Sequence, residues 1–195
     1  MGHTWSVAAG TEDREAKASA TVGIETLDAT TYAEAVPELA RVLVDAVASG
    51  ASVSFLAGLD EERAAAWWSD RAGLVAAGEI VPHVARQGGR IVGTVLLILS
   101  TKENSPHRAE IAKLLVHRSV RGRGIATALL AAAEAEAIAR GRTLLVLDTV
   151  TGSPAERLYL GLGWRAVGSV PGFALDVDGT EEAATVMWKR LAGPL

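Results

Sequence analysis

Residues 108–126 read RAEIAKLLVHRSVRGRGIA. Ile111 to Val116 is an apolar run bounded by polar residues, the pattern of a strand. Arg121-Gly122-Arg123-Gly124-Ile125-Ala126 follows, and it opens directly into a long amphipathic helical pattern. A strand, a glycine-rich turn and a helix N-terminus in succession make an anion site. Glycines let a ligand come close to the backbone. The first helical N–H groups have no partner within the helix, and the positive end of the helix dipole points at the turn. Arg121 and Arg123 flank those amides and suit phosphate. The stretch reads as a pyrophosphate cradle.

Spacing decides which kind. A Walker loop needs Gly, four residues, then Gly-Lys-Ser/Thr, and no such run exists. The dinucleotide fingerprint Gly-x-Gly-x-x-Gly fails at its third glycine, because Gly122-x-Gly124 is followed by Thr127. What fits is Arg-x-x-Gly-x-Ala over Arg121, Gly124 and Ala126, directly after an apolar strand. The plain alternative is an ordinary strand-to-helix turn that uses glycine for its geometry.

The 195 residues suffice for one domain with a full core. Hydrophobic residues make up 49 % and charged residues 22 %, an ordinary globular balance. The net charge of −4 argues against nucleic acid or an anionic membrane as partner. Positive charge is instead local, at Lys113, Arg118, Arg121 and Arg123. Without cysteine there is no disulfide, no thiolate nucleophile and no Cys-based metal site. His3 and His83 show no spacing with carboxylates that would build a metal site either. No apolar run approaches the ~18 residues of a membrane span, and the N-terminus lacks a secretory core. The expectation is a soluble cytoplasmic protein.

Residues 1–20 carry no hydrophobic period and read as a disordered tail, leaving 21–195 as one domain. Val22 to Leu27 alternates as a strand. Tyr32 to Ala48 has helical spacing, with Pro37 as a first-turn or kink position. Asp60 caps a second helix reaching about Ala77, and Trp67 and Trp68 on it serve either the core or a pocket wall with Phe55 and Leu56. Strands over His83–Gln87 and Arg90–Leu99 flank Gly88-Gly89, and Arg108–Val116 follows. Ile125–Ile138 is a long helix, stopped by Gly141. Leu144–Leu147 is a strand covered on both faces. Ser153-Pro154-Ala155-Glu156 starts the next helix, with Ser as cap and Glu closing a capping box. The last strands are Trp164–Val170 and Ala183–Leu191, with a long loop, Pro171 to Glu182, between them.

Strand, two helices, three strands, helix, strand, helix and two strands is an order that resembles the GNAT superfamily of N-acetyltransferases. The motif at Arg121, Gly124 and Ala126 resembles that family's acetyl-CoA signature. Ala155-x-x-Leu158-Tyr159 with Leu162-Gly163-Trp164 is similar to its fourth-helix pattern. Through Leu147-Asp148-Thr149, Gly152-Ser153 and Pro171-Gly172 the chain most resembles tabtoxin-resistance-type acetyltransferases. The resemblance implies an α/β (α+β) fold. Its mixed sheet has about seven strands, splayed between the fourth and fifth, and about four flanking helices.

It also implies a co-substrate, acetyl-CoA, and a small-molecule amine as partner, with the protein a monomer or homodimer. The pyrophosphate would meet residues 121 to 126, namely Arg121, Gly122, Arg123, Gly124, Ile125 and Ala126. The pantetheine arm would pair beside Leu115 and Val116. Ser153 stands where many relatives have Asn, whose contact to that arm would either pass to Ser153 or be lost. Tyr159 resembles the family's acid, set to protonate the leaving thiolate, and would lie against the cofactor. Its alternative role is a packed aromatic. Glu110 and Asp148 are candidates for the base or for holding the ammonium, although Asp148 also suits a capping or turn duty. His107 and His117 flank the same strand as solvated loop residues. The acceptor reads as a small amine, such as an amino-acid-like antimetabolite in toxin resistance. A lid over 171–182 would suit it. A protein or peptide N-acetyltransferase, or a non-catalytic acyl-CoA-binding module, are the alternatives.

Overall fold

The computed structural model describes residues 22–192. The N-terminal tail expected over 1–20 lies outside them. Seven strands form one sheet: β1 (Gly23–Thr26), β2 (Ile80–Gln87), β3 (Arg90–Leu99), β4 (Arg108–Val116), β5 (Leu144–Val150), β6 (Arg165–Leu175) and β7 (Glu181–Arg190). Their order across the sheet is β1-β2-β3-β4-β5-β7-β6. Every neighbouring pair is antiparallel except β4 and β5. The helices are α1 (Ala29–Ala48), α2 (Glu61–Ser69), α3 (Ala72–Ala76), α4 (Ile125–Ala139) and α5 (Pro154–Gly161). Two apolar layers cover the two faces. On the central strands the side chains alternate between them: Ile80, Val84 and Leu96 join α1 and α2, while Val81, Ala85, Val95 and Leu97 join α4.

Four local expectations are corrected. Helix α1 begins at Ala29 and continues through Pro37, which is neither its start nor in its first turn. Asp28 caps it: its carboxylate accepts from the Thr31 N–H at 2.8 Å, and Thr31 Oγ1 accepts from the Asp28 N–H at 2.9 Å. An internal proline costs a helix about 3 kcal/mol. Burying one large apolar side chain gains about 1.5–3 kcal/mol. With Tyr32, Leu39 and Leu43 all fully buried, packing outweighs the proline.

The helix expected from Asp60 to about Ala77 is divided into α2 and α3. At the break the Arg71 N–H donates to the Trp68 carbonyl. The Trp67 carbonyl, which would take that N–H in a continuous helix, accepts from the Arg71 guanidinium instead. At α5 the capping box is half formed. Ser153 Oγ accepts from the Glu156 N–H, but the Glu156 carboxylate accepts from Gly152 rather than from Ser153.

The loop expected over 171–182 is mostly strand, since β6 runs on through Pro171-Gly172 to Leu175 and only 176–180 turns back to β7. Proline cannot donate to a ladder, but β6 is the sheet's edge strand and needs no partner on its outer side. A break in register between Val170 and Ala174 absorbs the irregularity.

Gly93 of β3 sits where β3, β4 and α4 close on one another. A Cβ there would stand 2.9 Å from the Leu115 carbonyl oxygen and 3.2 Å from Leu129 Cδ1. Gly93→Ala is expected to destabilise the fold by about 1–3 kcal/mol through overpacking. Urea denaturation reads this directly, and an unchanged midpoint would refute so close an approach.

Candidate active site

Strands β4 and β5 are paired only over Arg108–Glu110 and Leu144–Val146. Beyond that point β5 keeps to β7 as far as Val150. β4 leaves it because of a bulge: Thr94 faces Leu115 and Leu96 faces Ala112, so Val95 opposes both Lys113 and Leu114. A bulge bends its strand. Lys113 also takes φ +51°, a left-handed backbone costing about 1–2 kcal/mol for a residue with a Cβ. Between the parted strands opens a cavity of about 1320 Å³.

One end of this cavity is the cradle. Gly122 and Gly124 both have φ +77°, and a Cβ on either would meet nothing within 4 Å. Gly124 is the N-cap of α4 and offers no side-chain acceptor. The first α4 amide bonded within the helix is Ala128, to the Gly124 carbonyl. The amides of Ile125, Ala126 and Thr127 therefore precede the ladder, at the positive end of the dipole. Open space over glycines at a helix N-terminus fits a pyrophosphate.

The arginines divide. Arg123 is exposed and outside the cavity lining. Arg121 lines the cavity, yet its guanidinium turns back: Nε donates to the Val116 carbonyl at 2.9 Å, and Nη2 to Ser49 Oγ at 2.7 Å. Its neighbour Arg118 donates from Nε to Asp45 at 2.6 Å, and its backbone N–H to the same carboxylate at 2.9 Å. His117, expected as a solvated loop residue, has Nε2 3.4 Å from the Asp45 carboxylate and Nδ1 2.8 Å from Ser119 Oγ. The C-terminal part of α1 thus holds the cradle in place.

At the other end lie the candidate chemical groups. Ala109, Ile111, Leu145 and Leu147 point into the α4 layer, so the alternation of a strand sends Glu110 and Asp148 to the opposite face. Both line the cavity. Partial burial, and then the Asp148 carboxylate, raise the Glu110 carboxyl above its ordinary range. Tyr159 is 6 % exposed and packs on Trp164 with ring centres 5.5 Å apart. Burial, followed by Asp148, raises its phenol far above the ordinary value, so it stays protonated across the working range of pH. Ser153, Leu115 and Val116 also line the cavity. Ser153 Oγ is occupied as an acceptor by its capping bond, which leaves its O–H free to donate.

Phe55 and Leu56 form part of the wall, with Trp67 behind Phe55 at 5.9 Å between ring centres. Trp68 is fully buried in the core. The β6–β7 hairpin is fastened rather than free. Ser52 Oγ donates to the Leu175 carbonyl at 3.3 Å and the Ala57 N–H to the Val177 carbonyl at 2.8 Å. Sequence reasoning named Lys113 only as local positive charge and missed Ser54 altogether. Both line the cavity, and what brings them together is tertiary.

The Acetyltransferase (GNAT) family matches residues 44–164, more than half of the chain. The chain belongs to the GNAT acetyltransferase family. It is an acetyl-CoA-dependent N-acetyltransferase, and acetyl-CoA is its co-substrate. Solved structures share the fold. The Salmonella typhimurium protein yncA, determined with acetyl-CoA, superposes with TM-score 0.69 at 19 % identity over 90 % of this chain and 96 % of that one. The ribosomal-protein-alanine N-acetyltransferase of Brucella melitensis gives 0.70 at 23 %, over 87 % and 99 %. A candidate phosphinothricin N-acetyltransferase gives 0.71 at 16 %, over 88 % and 99 %. No helix among the described residues is long and apolar enough to cross a membrane.

A raised carboxyl value means that the folded chain holds this proton more tightly than the unfolded chain does. The charge on Glu110 therefore costs stability at neutral pH, and the cost disappears below the ordinary carboxylate range. Glu110→Gln is expected to melt above the parent at pH 7 to 8, with the two curves converging as pH falls below about 4. A gain that grew toward acid pH would contradict this.

Proposed function

We propose that this GNAT enzyme moves the acetyl group of acetyl-CoA directly onto the amine of a small molecule. An amino-acid-like antimetabolite is the acceptor we favour, with toxin resistance as the role. One observation carries the reading: Tyr159, Glu110 and Asp148 face the same cavity onto which the N-terminus of α4 opens. Acetyl-CoA brings an activated acetyl thioester. The backbone amides from Gly122 to Ala126 hold its diphosphate in this proposal, and Arg121 braces the turn that carries them through its bonds to Val116 and Ser49. The free edge of β4 at Leu115 and Val116, together with the Ser153 hydroxyl, satisfies the amides of its arm.

A neutral amine and a protonated leaving group are the two requirements left to the protein. Glu110, with its raised proton affinity, accepts the ammonium proton, while Asp148 holds the amine in place. Tyr159, protonated throughout, lies against the thioester and gives its proton to the departing sulfur. The narrower likeness to tabtoxin-resistance-type enzymes, carried by Leu147-Asp148-Thr149, Gly152-Ser153 and Pro171-Gly172, supports an amino-acid-like acceptor. So does a cavity roofed where residues 50–58 are bonded to the β6–β7 hairpin. In this proposal residues 21–195 act as one catalytic domain in the cytoplasm, as a monomer or homodimer.

A protein or peptide N-terminus is the second reading, and one observation favours it. β6 is the sheet's edge strand and is exposed along its whole length, its end at Phe173, Ala174 and Leu175 lines the cavity, and an extended peptide can add to such an edge.

The test is CoA-thiol release from acetyl-CoA against amino acids, polyamines and short peptides, with Tyr159→Phe in parallel. Turnover of a small amine is expected to fall on the order of a hundredfold in the variant, with acetyl-CoA affinity unchanged. Full turnover in Tyr159→Phe would remove the phenol from the mechanism, and turnover confined to peptides would favour the second reading.

A further inference from the structure

Among the described residues, two other than glycine have positive φ: Ser54 at +76° and Lys113 at +51°. They lie on separate elements, one in the connector after α1 and the other at the β4 bulge. Even so they touch, since Lys113 Nζ donates to Ser54 Oγ at 3.2 Å. Each such backbone costs about 1–3 kcal/mol and persists only where its surroundings hold it, which is commonly at functional sites. Both line the cavity that also holds Glu110 and Asp148.

Lys113 is otherwise poorly compensated. Its Nζ stands 4.9 Å from the centre of the Trp67 ring, and Arg71 packs on the same ring. No carboxylate of the described residues comes within ion-pair distance of it. An ammonium has three donors. The Ser54 bond uses one, and the hydroxyl that accepts it keeps its own proton to donate. Burial, with Arg71 next, lowers the Lys113 value, while Asp148 and then Glu110 act on it in the opposite sense from beyond ion-pair distance. The cavity therefore presents two carboxylates and, apart from them, a cation and a hydroxyl with donors to spare.

We infer that the acceptor is a zwitterion whose carboxylate is held by Lys113 and Ser54 while its amine faces Glu110 and Asp148. The inference rests on the small-molecule reading above and adds to it the group that selects the substrate. Lys113 is a specificity residue in this account. It reads a charge away from the reacting nitrogen and takes no part in proton transfer. A decarboxylated or amidated acceptor forfeits the charged bond and leaves the Lys113 ammonium partly buried and unpaired.

The experiment measures steady-state acetylation of the L-amino acids. Each one that is turned over is compared with its α-amide and its decarboxylated amine. Lys113→Met and Lys113→Arg are run beside the parent after their melting temperatures and acetyl-CoA affinities have been matched. The parent is expected to prefer the free acids by about ten- to a hundredfold in kcat/KM, chiefly through KM. Lys113→Met should bring the acids down to the level of the amides without moving the amides, and Lys113→Arg should retain most of the preference. Equal kcat/KM for acids and amides in the parent, or equal losses for both in Lys113→Met, would overturn the inference while leaving small-molecule acetylation intact. Bound acetyl-CoA with no transfer to any small amine would instead overturn the reading beneath it, and the inference with it.

Discussion

Between Glu110 and Val146 the ladder joining β4 to β5 stops, although both strands run on for several residues. β5 is held to β7 along its full length, so the departure belongs to β4. Its cause is local, an extra residue at Lys113-Leu114 opposite Val95. Its consequence is not, for the cavity, the free edge at Leu115 and Val116, and the exposure of Glu110 and Asp148 all follow from that bend. A continuous sheet would have paired these backbone groups with each other and left no room for a ligand's amides. Gly93 permits the bend at its tightest point, where the Leu115 carbonyl comes close enough to exclude a side chain.

The cradle depends on the same sheet through α1. Asp45 takes three donors from Arg118, two on its carboxylate and one on its carbonyl, with His117 Nε2 3.4 Å from the carboxylate, and Ser49 takes the Arg121 guanidinium. A helix buried against β3 and β4 thereby sets where the first amides of α4 stand. Because Asp45 is only 12 % exposed at its side chain, these charge-assisted bonds are less screened than an ordinary surface pair. Positive charge around the turn consequently serves two ends. Arg118 and Arg121 fix the loop, and the backbone amides are left for the anion.

Features whose cause is local were legible in the sequence. Gly122 and Gly124 announce the turn because only glycine accepts that backbone at no cost, and Ser153-Pro154 announces α5 because capping chemistry is written in adjacent residues. The strands of the centre were legible from their apolar runs. The misreadings have physical reasons. Pro37 looks like a helix start until the burial of Tyr32, Leu39 and Leu43 is known. Asp28 escaped notice because its reciprocal partner is Thr31 rather than the usual Glu or Gln. Pro171-Gly172 looks like a loop because local chemistry cannot say that β6 is an edge. The pairing of Lys113 with Ser54, and the turn of Arg121 back to Ser49, join residues far apart in the chain. No periodicity or spacing rule carries such information.

The central claim is that acetyl-CoA occupies the parting of β4 from β5, with its diphosphate on the first amides of α4. Amide hydrogen–deuterium exchange with and without acetyl-CoA tests it without any assumption about the acceptor. The account predicts slowed exchange at residues 114–116 and 122–127, with the α2 amides unchanged. Binding that protected other segments and left those two as fast as before would contradict it.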